Sequence, residues 1–398
     1  MVNIREIAED TFWLGGSDRR LALFENLFPL PDGVSYNSYL IRDEKNVLFD
    51  TADASIAGQF LENLGGALDG EKLDYLVILH MEPDHCAEIA DVITRYPDVK
   101  LVGSVQTFKF LDQFFSGLDK CERVIMKEGD TLSTGKHTYH FITAPMVHWP
   151  EVLMAYDDHT KVLFSADAFG TFGALDGGIF ADDHDFEKEY LDEARRYYAN
   201  IVGKYGPQVQ TVLKKAAGLD IGMIAPLHGP VWRENIPWFI EKYQKWSTYT
   251  PEDDGIVVIY GSLYGHTESA AETAAAHLRG KSGTSVKVYD VSKTHTSYLI
   301  SEVFRSSKIV LFCPTYNNGI YLPMAAFLHD LAALNVQNRT FALAENGTWA
   351  PAAGKLMKEE LAKLKNVTVL EDVLTIKSAL HPSDAARLEE FVDAVVKG

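Results

Sequence analysis

The sequence predicts two domains: an α+β sandwich of two sheets covered by helices, then an α/β domain with a doubly wound, five-stranded parallel sheet. A chain of 398 residues is too long for one ordinary hydrophobic core. Strand-like runs dominate the first part of the chain, whereas strands and helices alternate regularly after residue 250. Between these parts lies the polar stretch Ser247–Gly255, which contains proline and glycine. We therefore place the domains at residues 1–250 and 251–398.

Composition and charge exclude several classes of protein. The formal net charge of −19 argues against a nucleic acid as partner. No apolar run reaches the roughly 18 residues of a membrane-spanning helix, and the N-terminus lacks a charged-then-apolar leader. The three cysteines are too few and too scattered for a disulfide framework. We expect a cytoplasmic protein without membrane contact.

The elements of the first domain follow from its apolar patterns. Strands are predicted at Thr11–Leu14, Ser35–Ile41, Val47–Asp50, 74–79, 100–102, 138–142, 152–156, 161–165 and 221–225. Helices are predicted at 54–64, 86–95, 105–116 and 186–216, and at the aromatic segment Trp238–Trp246. Many strands with helices between them favour two sheets packed face to face.

Metal-capable side chains are concentrated directly after one of these strands. The apolar run Tyr75–Leu79 is followed by His80-Met81-Glu82-Pro83-Asp84-His85. Alternate residues of an extended segment point the same way, so His80, Glu82 and Asp84 can converge. His85 can join them as the chain turns into the next helix. Burying four ionisable groups together without a metal would cost on the order of several kcal/mol each. We therefore predict a metal site.

Three further ligand-type residues lie at or near the ends of apolar runs. His148 lies between two predicted strands, Asp167 follows Val162–Ala166, and His228 follows Gly222–Leu227. Together with the first cluster they make a set that suits two metal ions. Four other histidines are interpreted as ordinary core or surface residues: His137, His140, His159 and His184.

The second domain alternates strand and helix, which implies a parallel sheet with helices on both faces. Its predicted strands are 256–260, 285–290, 308–313, 339–344 and 367–370. Helical patterns lie between the strands, such as Glu268–Arg279, Pro323–Leu334 and Ala352–Leu364, with a last helix at 383–396. Ligands of such sheets bind at the C-terminal ends of the strands.

Three loops at those strand ends predict a cofactor site. The first, Gly261–Thr267, precedes a helix whose N-terminal N–H groups can hold one phosphate. It is neither Gly-x-Gly-x-x-Gly nor a P-loop, which disfavours a dinucleotide or ATP. The other two loops carry aromatic and amide side chains that suit a flat heterocycle. The predicted contacts are Ser262, Leu263, Tyr264, Gly265, His266, Thr267, Pro314, Thr315, Tyr316, Asn317, Asn318, Gly319, Glu345, Asn346, Gly347 and Trp349.

These motifs resemble two known families. Residues 255–398 resemble the flavodoxins, whose ligand is FMN. Residues 1–250 resemble the metallo-β-lactamase superfamily, an αββα sandwich whose usual motif is His-x-His-x-Asp-His. Here Glu82 stands where the second histidine would be. Four histidines with three carboxylates form a more oxygen-rich set, which favours iron over zinc.

As a whole the chain resembles the flavodiiron proteins, also called A-type flavoproteins. That resemblance implies a non-haem diiron centre that reduces O2 to water, NO to N2O, or both. It also implies the ligand roles: His80, Glu82 and His148 for one iron; Asp84, His85 and His228 for the other; Asp167 as the bridge. Members often carry a further histidine in the segment that corresponds to Leu23–Phe28, which has none here.

The resemblance also implies a head-to-tail homodimer or a dimer of dimers. Because the chain has no Cys-x-x-Cys pair, we expect a separate electron donor, rubredoxin or a reduced deazaflavin. Two alternatives stay open at this point. One is a zinc-dependent hydrolase of the metallo-β-lactamase fold joined to a flavodoxin domain. The other is an electron carrier or sensor without turnover.

Overall fold

The computed structural model describes residues 3–398, which form two compact units. The first unit comprises the chain up to Tyr198 together with Pro207–Tyr243. The second comprises Ala199–Gly206 and Gln244–Gly398. The domain boundary after residue 250 stays a prediction.

Two sheets build the first unit. The larger has the strand order β1-β2-β7-β8-β9-β10-β11, and the smaller has the order β12-β13-β14-β15-β16. Strands β3 and β6 form a separate pair, as do β4 and β5. The bounds are β1 Arg5–Ala8, β2 Thr11–Trp13, β3 Gly16–Asp18, β4 Leu23–Phe24, β5 Phe28–Pro29, β6 Val34–Tyr36, β7 Tyr39–Ile41, β8 Val47–Phe49, β9 Tyr75–Val77, β10 Lys100–Gly103, β11 Arg123–Ile125, β12 Thr131–Ser133, β13 Thr138–Thr143, β14 Leu153–Asp157, β15 Val162–Phe164 and β16 Met223–Ala225.

The two sheets pack against each other through aromatic side chains. Phe49 of β8 stacks on Phe164 of β15 with ring centroids 4.2 Å apart, and both are fully buried. Strands β8, β9 and β10 are parallel, and so are β15 and β16. From the C-terminal ends of β9, β15 and β16 the chain passes into segments that hold predicted metal ligands.

Two of the helices predicted up to residue 247 are interrupted in the structure. The helix predicted over 86–95 is divided, since one helix ends at Cys86 and the next begins at Ile89. The helices of this part are α1 Ala57–Leu68, α2 Pro83–Cys86, α3 Ile89–Arg95, α4 Val105–Phe114, α5 Phe186–Glu189, α6 Leu191–Tyr197, α7 Gly206–Ala216 and α8 Ile236–Ser247. The single helix predicted over 186–216 is therefore wrong: a π-helical turn at Tyr198–Val202 and a 3-10 turn at Gly203–Tyr205 interrupt it. Glycine is a weak helix former, and Pro207 can begin a helix but cannot continue one.

The second unit has a parallel sheet of order β18-β17-β19-β21-β22, with the short β20 paired to β19. The strands are β17 Asp253–Tyr260, β18 Val286–Asp290, β19 Ser306–Tyr316, β20 Gly319–Ile320, β21 Thr340–Asn346 and β22 Thr368–Ile376. The helices are α9 His266–Ser282, α10 Thr296–Arg305, α11 Leu322–Ala333, α12 Ala353–Leu361 and α13 Ala385–Lys397.

A small-residue face joins α9 to this sheet. Ala270, Ala271, Ala274 and Leu278 are buried in one core cluster with Val258 and other residues of the central strands. The alanines at 270, 271 and 274 let the helix lie close to the sheet, which fixes where its N-terminus meets the strand ends. Across residues 3–398, no helix is long and apolar enough to cross a membrane.

Candidate metal centre and cofactor cavity

The first ligand cluster is held where β9 gives way to α2. Glu82 is the N-cap of that short helix and Pro83 occupies its first turn, so the chain bends directly after the strand. Asp50, which follows β8, accepts hydrogen bonds through Oδ1 from the N–H groups of Leu79 and His80 at 2.8 and 3.2 Å. These contacts fix the backbone from which His80 and Glu82 project.

One group of ligand atoms comes from His80, Glu82, His148 and Asp167, all of them buried. Glu82 Oε2 lies 3.2 Å from Nε2 of His80 and 2.9 Å from Nε2 of His148. Asp167 Oδ2 lies 3.0 Å from Nε2 of His148 and 3.6 Å from Nε2 of His80. Two imidazole nitrogens and two carboxylate oxygens thus converge on one point.

A second group comes from Asp84, His85 and His228. Asp84 Oδ2 lies 3.4 Å from Nε2 of His85 and 3.2 Å from Nε2 of His228. The two histidine Nε2 atoms are 3.1 Å apart. In this group too, each side chain directs a nitrogen or oxygen lone pair at a common centre.

Asp167 faces both groups. Its Oδ2 is next to His148, whereas its Oδ1 lies 3.0 Å from Nε2 of His85 and 4.0 Å from Nε2 of His228. The side chain is fully buried, three residues after the end of β15. One carboxylate with an oxygen toward each group is the arrangement by which a carboxylate bridges two metal ions.

Electrostatics tie these groups together. Burial opposes protonation of His148, but hydrogen bonds with Asp167 and Glu82 outweigh it and raise the pKa to about 9. Burial likewise opposes protonation of His85, but the charges of Asp84 and Asp167 raise its pKa to about 9. Burial alone would raise the pKa of Asp167, yet the neighbouring His85 and His80 hold it well below its ordinary value. The histidines thus stabilise the carboxylate in its ionised, metal-binding form.

Two of the histidines are oriented by a partner on the far side of the ring. Nδ1 of His80 is 2.7 Å from Glu151 Oε1, which also accepts from the N–H of Met81 at 2.9 Å. Nδ1 of His228 is 2.8 Å from the carbonyl oxygen of Ser35. Since both partners accept, each Nδ1 carries the proton and each Nε2 lone pair is free for a metal. His85 differs, because its buried Nδ1 has no hydrogen-bond partner within residues 3–398.

Aromatic side chains close the site. Trp149 stands edge-on to His80 with ring centroids 5.4 Å apart. Phe24 and Tyr197 pack against His228 at 5.4 and 5.5 Å. The Tyr197 hydroxyl is buried and has no hydrogen-bond partner among the described residues. Burial and the nearby carboxylates, Asp167 foremost, raise its pKa well above the ordinary value, so it stays protonated.

Glu25 lies at the tip of the β4–β5 hairpin, in the segment without the extra histidine. Its backbone is left-handed, with φ of 51°. Its residue surface is exposed, yet burial of the carboxyl group and the charge of Glu82 raise its pKa to about 8. A hydrogen bond with Glu82 places the Glu25 carboxyl group beside the first ligand group.

The donor set fits a pair of metal ions. Both oxygens of Asp84 and Oδ1 of Asp167 are buried without a hydrogen bond from any residue in the described range. Orphaned carboxylate oxygens are costly unless a cation is bound. The site offers four imidazoles and three carboxylates. This set is richer in oxygen donors than a typical zinc hydrolase site, which favours iron over zinc. The sequence analysis did not identify Asp50, Glu151, Tyr197 and Glu25, since each is a single polar residue outside any motif with metal-ligand spacing.

A cavity of about 560 Å³ lies at the C-terminal ends of the strands in the second unit. It suits a ligand of cofactor size. Its lining comes from all three predicted loops: Ser262, Leu263, Tyr264, His266, Thr267, Pro314, Thr315, Tyr316, Asn317, Asn318, Asn346, Gly347, Thr348, Trp349, Ala350 and Ser378.

The cavity joins a phosphate cradle to an aromatic wall. Ser262 Oγ accepts from the N–H groups of Gly265 and Glu268, so the first loop wraps the N-terminus of α9. Tyr264 and Trp349 are 92% and 87% exposed, as expected for rings that stack on a ligand. A phosphate at the helix N-terminus and a flat ring between aromatics match the two halves of FMN.

Some predicted contacts lie outside the lining. Gly265 and Gly319 shape their loops, Gly265 as the left-handed N-cap of α9. The carboxylate of Glu345 accepts from the N–H of Gly354 at 2.8 Å and is not part of the cavity wall. Conversely, the prediction did not include Thr348, Ala350 and Ser378, which do line it.

Comparison with known proteins agrees with both halves. Residues 34–229 match the family described as ODP family beta lactamase, and residues 258–390 match flavodoxin. An anaerobic nitric oxide reductase flavorubredoxin of Aeromonas hydrophila is 33% identical over 340 residues, covering 84% of this chain and 68% of that protein.

Two solved structures are similar along the whole chain. The rubredoxin oxygen:oxidoreductase of the anaerobe Desulfovibrio gigas has a TM-score of 0.92 at 28% identity, covering 99% of this chain and 98% of its own. The flavodiiron protein of Giardia intestinalis has a TM-score of 0.92 at 25% identity, covering 100% and 96%.

The fold and the site therefore define a metallo-β-lactamase-like domain joined to a flavodoxin-like domain, and the predicted fold class is confirmed. The chain belongs to the flavodiiron proteins, or A-type flavoproteins, and is an oxidoreductase. Its second domain is of the FMN-binding flavodoxin type, and its His/Asp/Glu cluster is suited to a diiron site.

Proposed function

We propose that this chain reduces O2 to water, NO to N2O, or both, at a non-haem diiron centre supplied with electrons through FMN. The observation that carries the proposal is the pair of buried ligand groups that share Asp167. In this proposal His80, Glu82 and His148 hold one iron, and Asp84, His85 and His228 hold the other. Asp167 bridges the two ions. The names of the Aeromonas and Desulfovibrio relatives refer to NO and to oxygen respectively, so both gases are retained.

Bound FMN would supply electrons one at a time. The two iron ions would supply the site where one O2 or a pair of NO molecules is reduced. The residues of the chain arrange this chemistry. Glu151 and the Ser35 carbonyl fix the two histidine rings. Trp149 keeps water from one side of His80. The Tyr197 hydroxyl is protonated and has no hydrogen-bond partner among residues 3–398, so it can donate a hydrogen bond to the bound gas.

The cofactor contacts of the second domain are also part of the proposal. The α9 N-terminus with Ser262 and Thr267 would hold the FMN phosphate, and the rings of Tyr264, Tyr316 and Trp349 would face the isoalloxazine. The donor would be a separate rubredoxin or a reduced deazaflavin. A head-to-tail homodimer or dimer of dimers and a cytoplasmic location complete the proposal.

Metal and flavin analysis separates this function from the zinc hydrolase alternative. The chain is purified after expression in medium with both iron and zinc, and metals and flavin are quantified per chain. We expect iron as the dominant metal, together with stoichiometric FMN and no hydrolysis of phosphodiester, thioester or β-lactam substrates. Zinc in both positions with hydrolase activity would replace the proposal by the alternative.

A further inference from the structure

The N-terminus of α12 is capped in an unusual way. Its own N-cap residue is Ala352, whose side chain forms no capping hydrogen bond. Alanine is among the poorest N-cap residues because it leaves the first helical N–H groups without an acceptor. Two side chains from distant strands supply the acceptors in its place.

Thr315 and Glu345 are those acceptors. Thr315 Oγ1, at the end of β19, accepts from the N–H groups of Ala352 and Ala353 at 2.9 and 3.2 Å. Glu345 Oε2, near the end of β21, accepts from the N–H of Gly354 at 2.8 Å. The other Glu345 oxygen accepts from Thr375 Oγ1 at 2.9 Å, so the buried carboxylate is used on both sides.

The geometry leaves little freedom at this end of the helix. A Cβ atom on Gly354 would lie 2.7 Å from Val373 Cγ1 and 3.1 Å from Glu345 Oε2. Only glycine therefore lets the first turn of α12 approach the sheet and the carboxylate so closely. The negative charge also lies at the positive end of the helix dipole.

The loop Gly347–Pro351 runs from the end of β21 to this capped turn, and it forms one wall of the FMN cavity. Its other end is tied by Asn346, whose side-chain amide donates to the Ser378 carbonyl at 3.0 Å and accepts from the Ser378 N–H at 3.1 Å. Trp349, in the middle of the loop, is 87% exposed and makes no ring contact within residues 3–398. Its position is therefore set by the two ends of the loop.

We propose that Thr315 and Glu345 are positioning residues that hold the Gly347–Pro351 loop, and with it Trp349, against the FMN ring. We call this pair the α12 brace. The proposal rests on the assignment of the cavity to FMN. Thr315 itself lines the cavity, whereas Glu345 does not. In the proposal both act through the loop: loss of either acceptor frees the start of α12, the loop loosens, and the indole no longer stays stacked on the flavin.

The test is FMN titration of the flavin-stripped, full-length chain, followed by flavin fluorescence. Thr315→Val removes the acceptor with little change in shape, and we expect an FMN Kd about tenfold higher. Bound-flavin fluorescence should rise as well, because stacking on an indole quenches it. Thr315→Ser keeps the hydroxyl and should bind FMN as wild type does.

A double-mutant cycle shows whether the effect runs through Trp349. In a Trp349→Ala background, Thr315→Val should change the FMN Kd by less than about twofold, since there is no indole left to position. The same tenfold loss in both backgrounds would overturn the proposal, because it would mean that Thr315 contacts FMN directly. An unchanged Kd for Thr315→Val in the Trp349 chain would overturn it too.

Further variants test the second acceptor and control for a general loss of stability. Glu345→Met removes the second acceptor and should also weaken FMN, whereas Glu345→Gln keeps an acceptor and should not. Ser104→Ala removes the cap of α4 in the first unit, where Ser104 Oγ accepts from the Thr107 N–H at 3.0 Å; it should lower the Tm without changing the FMN Kd. A wild-type chain that binds no FMN would instead refute the cofactor assignment, which is a different result from normal binding by every brace variant.

Discussion

Nδ1 of His80 lies 2.7 Å from Oε1 of Glu151, and both side chains are fully buried. The carboxylate fixes the tautomer and the ring orientation that aim Nε2 at the first ligand group. We expect Glu151→Ala to weaken iron binding about 10- to 100-fold, the range seen when such an outer partner is lost. Iron affinity can be measured by competition with a chelator of known strength.

The matched control for this prediction is Glu122→Ala, which removes an exposed carboxylate paired with Lys100. It should leave iron affinity unchanged. If Glu151→Ala bound iron as tightly as this control, the orienting role of Glu151 would be wrong.

The bridging position of Asp167 predicts an asymmetry between two carboxylate substitutions. Asp167→Ala should reduce iron from about two ions per chain, one for each ligand group, to less than one, since both groups lose an oxygen. Asp84→Ala removes an oxygen only from the second group and should retain about one ion. Metal analysis after gel filtration gives both numbers. Full loading of the Asp167→Ala chain would contradict a bridge.

Tyr197 offers a test in which stability and activity separate. Its hydroxyl is buried without a partner among the described residues, so Tyr197→Phe removes an unsatisfied polar group. We expect the Tm to stay the same or rise slightly, while turnover of the gas substrate falls about tenfold for the loss of one hydrogen bond. Thermal unfolding and gas-consumption rates are measured on the same preparation. Unchanged turnover would show that the hydroxyl plays no part in catalysis.

His137 and Asp157 give a pH-dependent contribution to stability outside the metal centre. Their side chains are buried and 2.8 Å apart. Burial opposes protonation of His137, but Asp157 raises its pKa above 6.5; burial opposes ionisation of Asp157, but His137 and Thr160 lower its pKa below 3.8. The stabilisation from His137 is complete below its unfolded pKa and is lost as the pH rises through its folded pKa. That from Asp157 is lost only as the pH falls below 3.8.

The measurement is the Tm difference between wild type and His137→Gln across the pH range. The difference should be largest between about pH 4 and 6.5 and should shrink at alkaline pH. The metal ligands are the same in both chains, so their titration cancels. A difference that grows with pH would reverse the assignment of the charged pair.

The candidate metal ligands and the main strands were accessible from sequence because most of these ligands lie at or near the end of an apolar run. His80, Asp167 and His228 lie where those runs end, and residue type alone signals metal chemistry there. The alternation after residue 250 likewise predicted the parallel sheet of the second unit. Local pattern carries this information, since strand ends in parallel sheets meet at one edge.

Other features depend on tertiary contacts that no local pattern encodes. Strands such as β4 and β5 have two residues each, too short for any periodicity. Glu151 and Glu345 look like ordinary acidic residues until the fold brings them to His80 and Gly354. To predict the breaks in the 186–216 segment, glycine and proline would have to be given weight against an otherwise helical pattern.

The most direct test of the central claim is consumption of O2, and of NO under anaerobic conditions, by the purified chain with reduced rubredoxin. Iron and FMN are quantified in the same sample, and a reduced deazaflavin is tried as a second donor. Rapid turnover of at least one gas, in a sample that contains about two irons and one FMN per chain, is the result that the account predicts. Bound zinc in both ligand groups with no consumption of either gas would contradict it.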